Sequence, residues 1–77
     1  MTIEDVANQN KELGKNQFFI KHKRQYGIVS TNVCRNGYAV EIYVDGDDNF
    51  QGLFVIDKDE SNFTVLSDDE ARKAGLQ

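Results

Sequence analysis

The chain has 77 residues, 39% of them hydrophobic and 29% charged, with a net charge of −4, one cysteine and no proline. This is the chemistry of a globular domain rather than a disordered chain. One cysteine excludes an internal disulfide framework, and one cysteine with one histidine is too few for a zinc site. No apolar run approaches the roughly 18 residues of a membrane span, and the polar start MTIEDVANQN is no signal peptide, so the expectation is a cytoplasmic setting without a membrane partner.

A chain of this length buries only about 60% of the surface its unfolded form exposes, so one nearly complete core, spanning residues 1–77 as a single domain, is expected. Charge is unevenly spread. Residues 11–35 sum to +5 and residues 36–77 to −7. Such asymmetry can steer a charged partner.

The N-terminus reads as a helix. Thr2 and Asp5 have the capping-box spacing, Ile3, Val6, Ala7 and Leu13 share a face with Asn10 as a polar gap, and Gly14 is the stop. FFIKHKRQYGIV (18–29) is apolar at both ends and charged on both faces of any strand drawn through 21–24. No half-buried strand centre tolerates that, so two strands are expected to meet at a solvated KHKR tip.

The middle reads as β structure. GIVSTNVC (27–34) should pair antiparallel with YAVEIYV (38–44) across Asn36-Gly37, a strong hairpin signal. Tyr38, Val40, Ile42 and Val44 alternate with Ala39, Glu41 and Tyr43. FQGLFVI (50–56) is apolar on both faces, as a central or helix-covered strand would be, with Gly52 as a bulge marker. NFTVL (62–66) is a last short strand. SDDEARKAG (67–75) is a helix capped by Ser67 and Glu70, acidic in its first turn, basic in its last, and stopped at Gly75.

The expected fold is α+β: an N-terminal helix, a four- to five-stranded antiparallel meander and a short C-terminal helix. The sheet is either open with helices on one face or a small SH3-like barrel. The expected core is Phe18, Ile20, Ile28, Val40, Ile42, Val44, Phe54, Ile56, Phe63 and Val65.

No catalytic or cofactor signature emerges. There is no Gly-rich phosphate loop, Gly-x-Ser-x-Gly turn or His-Glu-x-x-His pair, and Cys34 after an apolar strand reads as a small hydrophobe. Asp45, Asp47 and Asn49 begin like a calcium loop and fail at Phe50. Asp57, Asp59 and Ser61 come closer, with Asp68 at the twelfth position, but their flanks read as strands. Two binding surfaces remain. Glu41, Tyr43, Asp45, Asp47, Asp48, Asp57, Asp59 and Glu60 set acids around exposed rings, which suits capture of a basic protein surface. Lys21, Lys23, Arg24 and Tyr26 set cations beside a ring, the elements of a weak, salt-sensitive nucleic-acid contact.

The expectation is therefore a non-catalytic module, with no cofactor or metal, that engages a protein partner through its acidic strand-and-turn surface, as an inhibitor, immunity or phage accessory protein would. Nucleic-acid contact through 21–24 and a structural assembly role are the alternatives. An unpaired edge in so small a sheet also leaves a homodimer open.

Overall fold

The computed structural model describes residues 1–22, 24–44 and 50–76, with Val44 and Phe50 described by their backbone alone. Helix α1 (Ile3–Glu12) is followed by strands β1 (Gln17–His22), β2 (Gln25–Cys34), β3 (Gly37–Val44), β4 (Phe50–Asp57) and β5 (Thr64–Leu66), and by helix α2 (Asp68–Lys73). This is the expected α+β architecture. The sheet is antiparallel throughout and open, with strand order β4-β3-β2-β1-β5.

Both helices start with the expected reciprocal caps. In α1 the Asp5 N–H donates to Thr2 Oγ1 (3.2 Å) and the Thr2 N–H donates to Asp5 Oδ2 (3.0 Å). In α2 the Glu70 N–H donates to Ser67 Oγ (3.1 Å) and the Ser67 N–H to Glu70 Oε1 (3.0 Å). Backbone and side-chain bonding to the cap residue holds each carboxyl below its ordinary range. Two further orphan donors of α1 find tertiary partners: the Ile3 N–H donates to the Glu60 carbonyl and the Glu4 N–H to the Lys58 carbonyl.

Those two bonds record how the chain travels. β1 to β4 form a meander, and residues 58–63 then pass the start of α1 to bring β5 to the far side of β1. A simple five-strand meander would have put β5 beside β4. Instead Leu66 pairs with Phe19 and Val65 with Ile20, while Phe63 packs on the cluster beneath α1.

The helices cover opposite faces of the sheet, contrary to the expectation of one shared face. Under α1 lie Ile3, Val6, Ala7, Phe18, Ile20, Val29, Tyr38 and Val40. On the other face Ala71 and Leu76 pack on Phe19, flanked by Tyr26, Ile28, Tyr43 and Leu66. Two covered faces explain why 18–20 is apolar without alternation: Phe18 and Ile20 face α1, while Phe19 faces α2.

Several expected core positions are corrected. Phe18, Ile20 and Val40 are buried, and Ile28, Ile42, Ile56 and Phe63 are half-buried. Phe54 and Val65 are 54% and 45% exposed, because β4 and β5 are the two edges of the sheet. The side chain of Val44 lies outside the described residues. Leu13 is exposed because α1 ends at Glu12 and the Leu13 N–H closes the last turn onto the Gln9 and Asn10 carbonyls. The β2–β3 turn falls on Arg35-Asn36, one residue before the Asn36-Gly37 reading, since Cys34 pairs with Gly37. Arg35 takes the positive φ, 58°.

One glycine decides the packing under α1. A Cβ on Gly27 would sit 2.8 Å from Val40 Cγ2 and 3.3 Å from Ile20 Cγ1, so only glycine lets these two side chains close over β2.

Candidate functional site: an open strand edge and its flanking charges

β4 lies at one side of the sheet, hydrogen-bonded to β3 and unpaired along its outer edge among the described residues. Its eight residues carry no charge before Asp57. Leu53, Phe54 and Val55 are 66%, 54% and 62% exposed. In the register, Leu53 lies opposite Glu41 and Val55 opposite Ala39 on the α2 side, while Phe54 lies opposite Val40 on the α1 side. The edge is thus apolar on both faces.

A bulge shapes it. The pairing skips Gln51, passing from Ile42↔Gly52 to Tyr43↔Phe50, and Gly52 adopts φ 140°. A Cβ at Gly52 would meet the Phe54 ring at 3.2 Å, so the ring lies back along its own strand over the glycine. Inboard of Phe54 the α1 face opens into a groove of about 440 Å³. Ile20, Gly27, Val40, Ile42 and Ile56 line it, with His22, Gln25, Gln51 and Glu60 as its polar members.

The described acidic residues among those singled out from sequence are not gathered into one patch. Glu41 and Tyr43 sit on the α2 face of β3, where the Tyr43 hydroxyl donates to Glu41 Oε2 (3.2 Å). Burial, then the bond to Glu41 and its charge, push Tyr43 above the usual phenol range. Asp57 pairs with Gly37 at the opposite end of the β3–β4 ladder, about 20 Å away by strand rise. Asp57 Oδ1 accepts from the Asp59 N–H (2.8 Å) and Glu60 Oε1 from the Asn62 N–H (2.9 Å), so these carboxylates also shape the turn they occupy. Asp45, Asp47 and Asp48 lie outside the described residues. By covalent order alone they directly precede β4.

The KHKR segment falls at the β1–β2 hairpin end. β1 stops at His22 and β2 starts at Gln25, with Arg24 exposed between them. Lys21 and Tyr26 are cross-strand partners on the α2 face, with Lys21 Nζ 5.4 Å from the ring centroid. Lys23 lies outside the described residues. His22, paired with Gln25 at the start of β2, and the exposed Cys34 at the end of β2 lie about 23 Å apart by the rise of the paired β3 strand, so they make no nucleophile–base pair. No helix among the described residues is long and apolar enough to cross a membrane.

Periodicity missed the edge itself. It reads a both-faces-apolar run as interior, and what the run lacked was a neighbour, which only topology reveals. In comparison with known proteins, no family model, curated protein or solved structure matches the chain.

Proposed function

We propose that this protein is a small binding module, without catalysis, that engages a protein partner bearing a basic surface, and that the contact centres on β4 and its flanking acids. The observation that carries the reading is the exposure of three consecutive apolar residues, Leu53, Phe54 and Val55, on a strand edge unpaired among the described residues. Natural sheets blunt long edges with charge, proline or cover. Here residues 50–56 have none of the first two. A partner that covers this edge removes apolar surface from water at roughly 25 cal/mol per Å² and satisfies the outer backbone groups. The acids on either side then steer a cationic partner and exclude anionic ones. Occupation of a basic site on a target, as an inhibitor would act, is the form of this role that fits the charge.

The test is capture of binding proteins from the source cell on three immobilised chains: the unaltered one, Leu53→Thr/Val55→Thr, and Asp45→Asn/Asp47→Asn/Asp48→Asn/Asp57→Asn/Asp59→Asn. The same protein retained by all three would sink the reading. Loss with either variant supports it.

A second reading, weak nucleic-acid contact, has one observation in its favour: Lys21, Arg24 and Tyr26 share one hairpin end. Against it, the ammonium of Lys21 already lies over the Tyr26 ring that a base would stack on. Absence of binding to mixed oligonucleotides at low salt removes it.

A further inference from the structure

One bond just past β4 fixes which of its backbone groups face outward. The Lys58 N–H donates to the Asn36 carbonyl (3.1 Å), and these two residues continue the register of Gly37↔Asp57. Hydrogen-bonded and non-hydrogen-bonded pairs alternate along an antiparallel ladder, so Tyr38↔Ile56, Val40↔Phe54 and Ile42↔Gly52 are the hydrogen-bonded ones. The N–H and C=O groups of Phe54 and Ile56 therefore point to β3. Those of Leu53 and Val55 point out of the open edge. No charged residue lies within 50–56.

This edge is its own complement. A second copy laid antiparallel about a two-fold axis at Phe54 sets Leu53 opposite Val55 of the second copy, and Val55 opposite its Leu53. Both are residues with outward backbone groups, so both become hydrogen-bonded pairs that exchange N–H and C=O. On the α2 side the exposed Leu53 and Val55 side chains cover one another. On the α1 side Phe54 faces its own mate, and the ring that lies over Gly52 faces Ile56 of the second copy. Asp57 falls opposite neutral Gln51. Sliding by one residue turns outward groups against inward ones. Sliding by two either strands the Asp57 carboxylate against Leu53 or moves Val55 from its apolar mate onto Gln51.

We propose that the β4 edge pairs antiparallel with β4 of a second copy, about a two-fold axis at Phe54, joining two five-stranded sheets into one. Area and charge set its strength. Leu53, Phe54 and Val55 are 66%, 54% and 62% exposed. Across two copies they supply on the order of 500 Å² of apolar surface, below the roughly 1,200 Å² of a standing interface. Each copy also carries −4, a repulsion that salt screens. The pair is therefore weak, with a Kd of order 0.1–1 mM. Salt strengthens it, the reverse of a contact with a cationic protein. The inference goes beyond the binding reading above and does not depend on it: the edge closes on itself in concentrated solution and is open to a partner at micromolar concentration.

The experiment follows the full chain from ~10 µM to ~1 mM by sedimentation equilibrium and amide exchange, in low and high salt. The mass is expected to rise toward the dimer at the upper end, more so in high salt. Exchange should slow with concentration at the amides of Leu53 and Val55 and stay constant at Phe54 and Ile56, which β3 already holds. Val55→Pro removes an outward N–H and spares the β3–β4 ladder, and should weaken pairing about tenfold or more. Leu53→Lys should do the same by setting an ammonium against Val55 of the second copy, although it lowers the net repulsion. If the proline variant fails to fold, the lysine variant decides. A monomer throughout, pairing weakened by salt, slowing centred away from 53 and 55, or folded variants that pair like the unaltered chain each overturn the proposal. Partner capture is run at micromolar concentration and self-pairing is read with no partner present, so either reading can fail without the other.

Discussion

The two edges of this sheet are built differently. β5 is three residues long, pairs with β1, and gives way at Leu66 to the Ser67 cap of α2. Leu66 packs with Phe19 beneath Ala71 and Leu76, so the chain that forms this edge also begins to cover it. β4 runs for eight residues with three apolar side chains more than half exposed, and its only irregularity is the bulge at Gln51-Gly52. Short length and helical cover are ordinary ways to blunt an edge. Both occur at β5. At β4 the outer backbone has no partner among the described residues, and in sequence the charges flank the strand instead of lying along it. The contrast teaches that Leu53, Phe54 and Val55 contribute little to the core, which is what the proposed contact surface requires.

Stability measurements break or sharpen that contrast. The largest effect belongs to the covered half: Ile3 is fully buried in the cluster beneath α1, and Ile3→Ala should cost about 2–5 kcal/mol, enough to unfold much of a chain this small. Leu53→Thr/Val55→Thr should stay within about 0.5 kcal/mol per site in urea denaturation, since exposed β-branched replacements keep strand propensity. If the edge variant costs as much as Ile3→Ala, β4 is core and the comparison fails. Gly27→Ala comes next, at about 1–3 kcal/mol, because its methyl group would crowd Val40 and Ile20. Its loss should appear as a shifted urea midpoint with an unchanged slope.

How much of this was legible beforehand depends on range. Both capping boxes, Thr2 with Asp5 and Ser67 with Glu70, could be read because a cap is complete within four residues. The alternation of 38–43 and the meeting of two strands at Arg24 were readable for the same local reason. The place of β4 was not. Its apolar run said which faces are apolar and nothing about how many strands lie beyond it, which is fixed by residues 58–63 returning past α1 to β1. Val29 was missed likewise. Ile28 stood out as the core residue of its strand, yet Val29 is fully buried because it faces α1, while Ile28 faces the smaller cover of α2 and Leu76. Of the candidate site, the acids were visible in sequence, but the separation of Asp57 from Glu41 and Tyr43 along the ladder needed the strand register.

The smallest predicted effect is with pH. Asp5 and Glu70 are held below their ordinary values by their caps, so the folded state binds fewer protons than the unfolded one in the carboxylate range. Their contribution is present above that range and is lost as pH falls through it. Asp5→Asn/Glu70→Gln should therefore lower Tm slightly at neutral pH, change it little in acid, and so flatten the acid side of a Tm–pH profile. A profile as steep as that of the unaltered chain would place the acid sensitivity in other carboxylates.

The central claim, that the open β4 edge is the contact surface, is tested most directly by amide hydrogen exchange on the chain alone and bound to its captured partner. The account predicts fast exchange across the outward amides of 51–57 in the free protein and marked slowing there on binding, with 18–22 and 68–73 unchanged. Slowing confined to the β1–β2 hairpin end or to α2, with β4 exchanging as before, would contradict it.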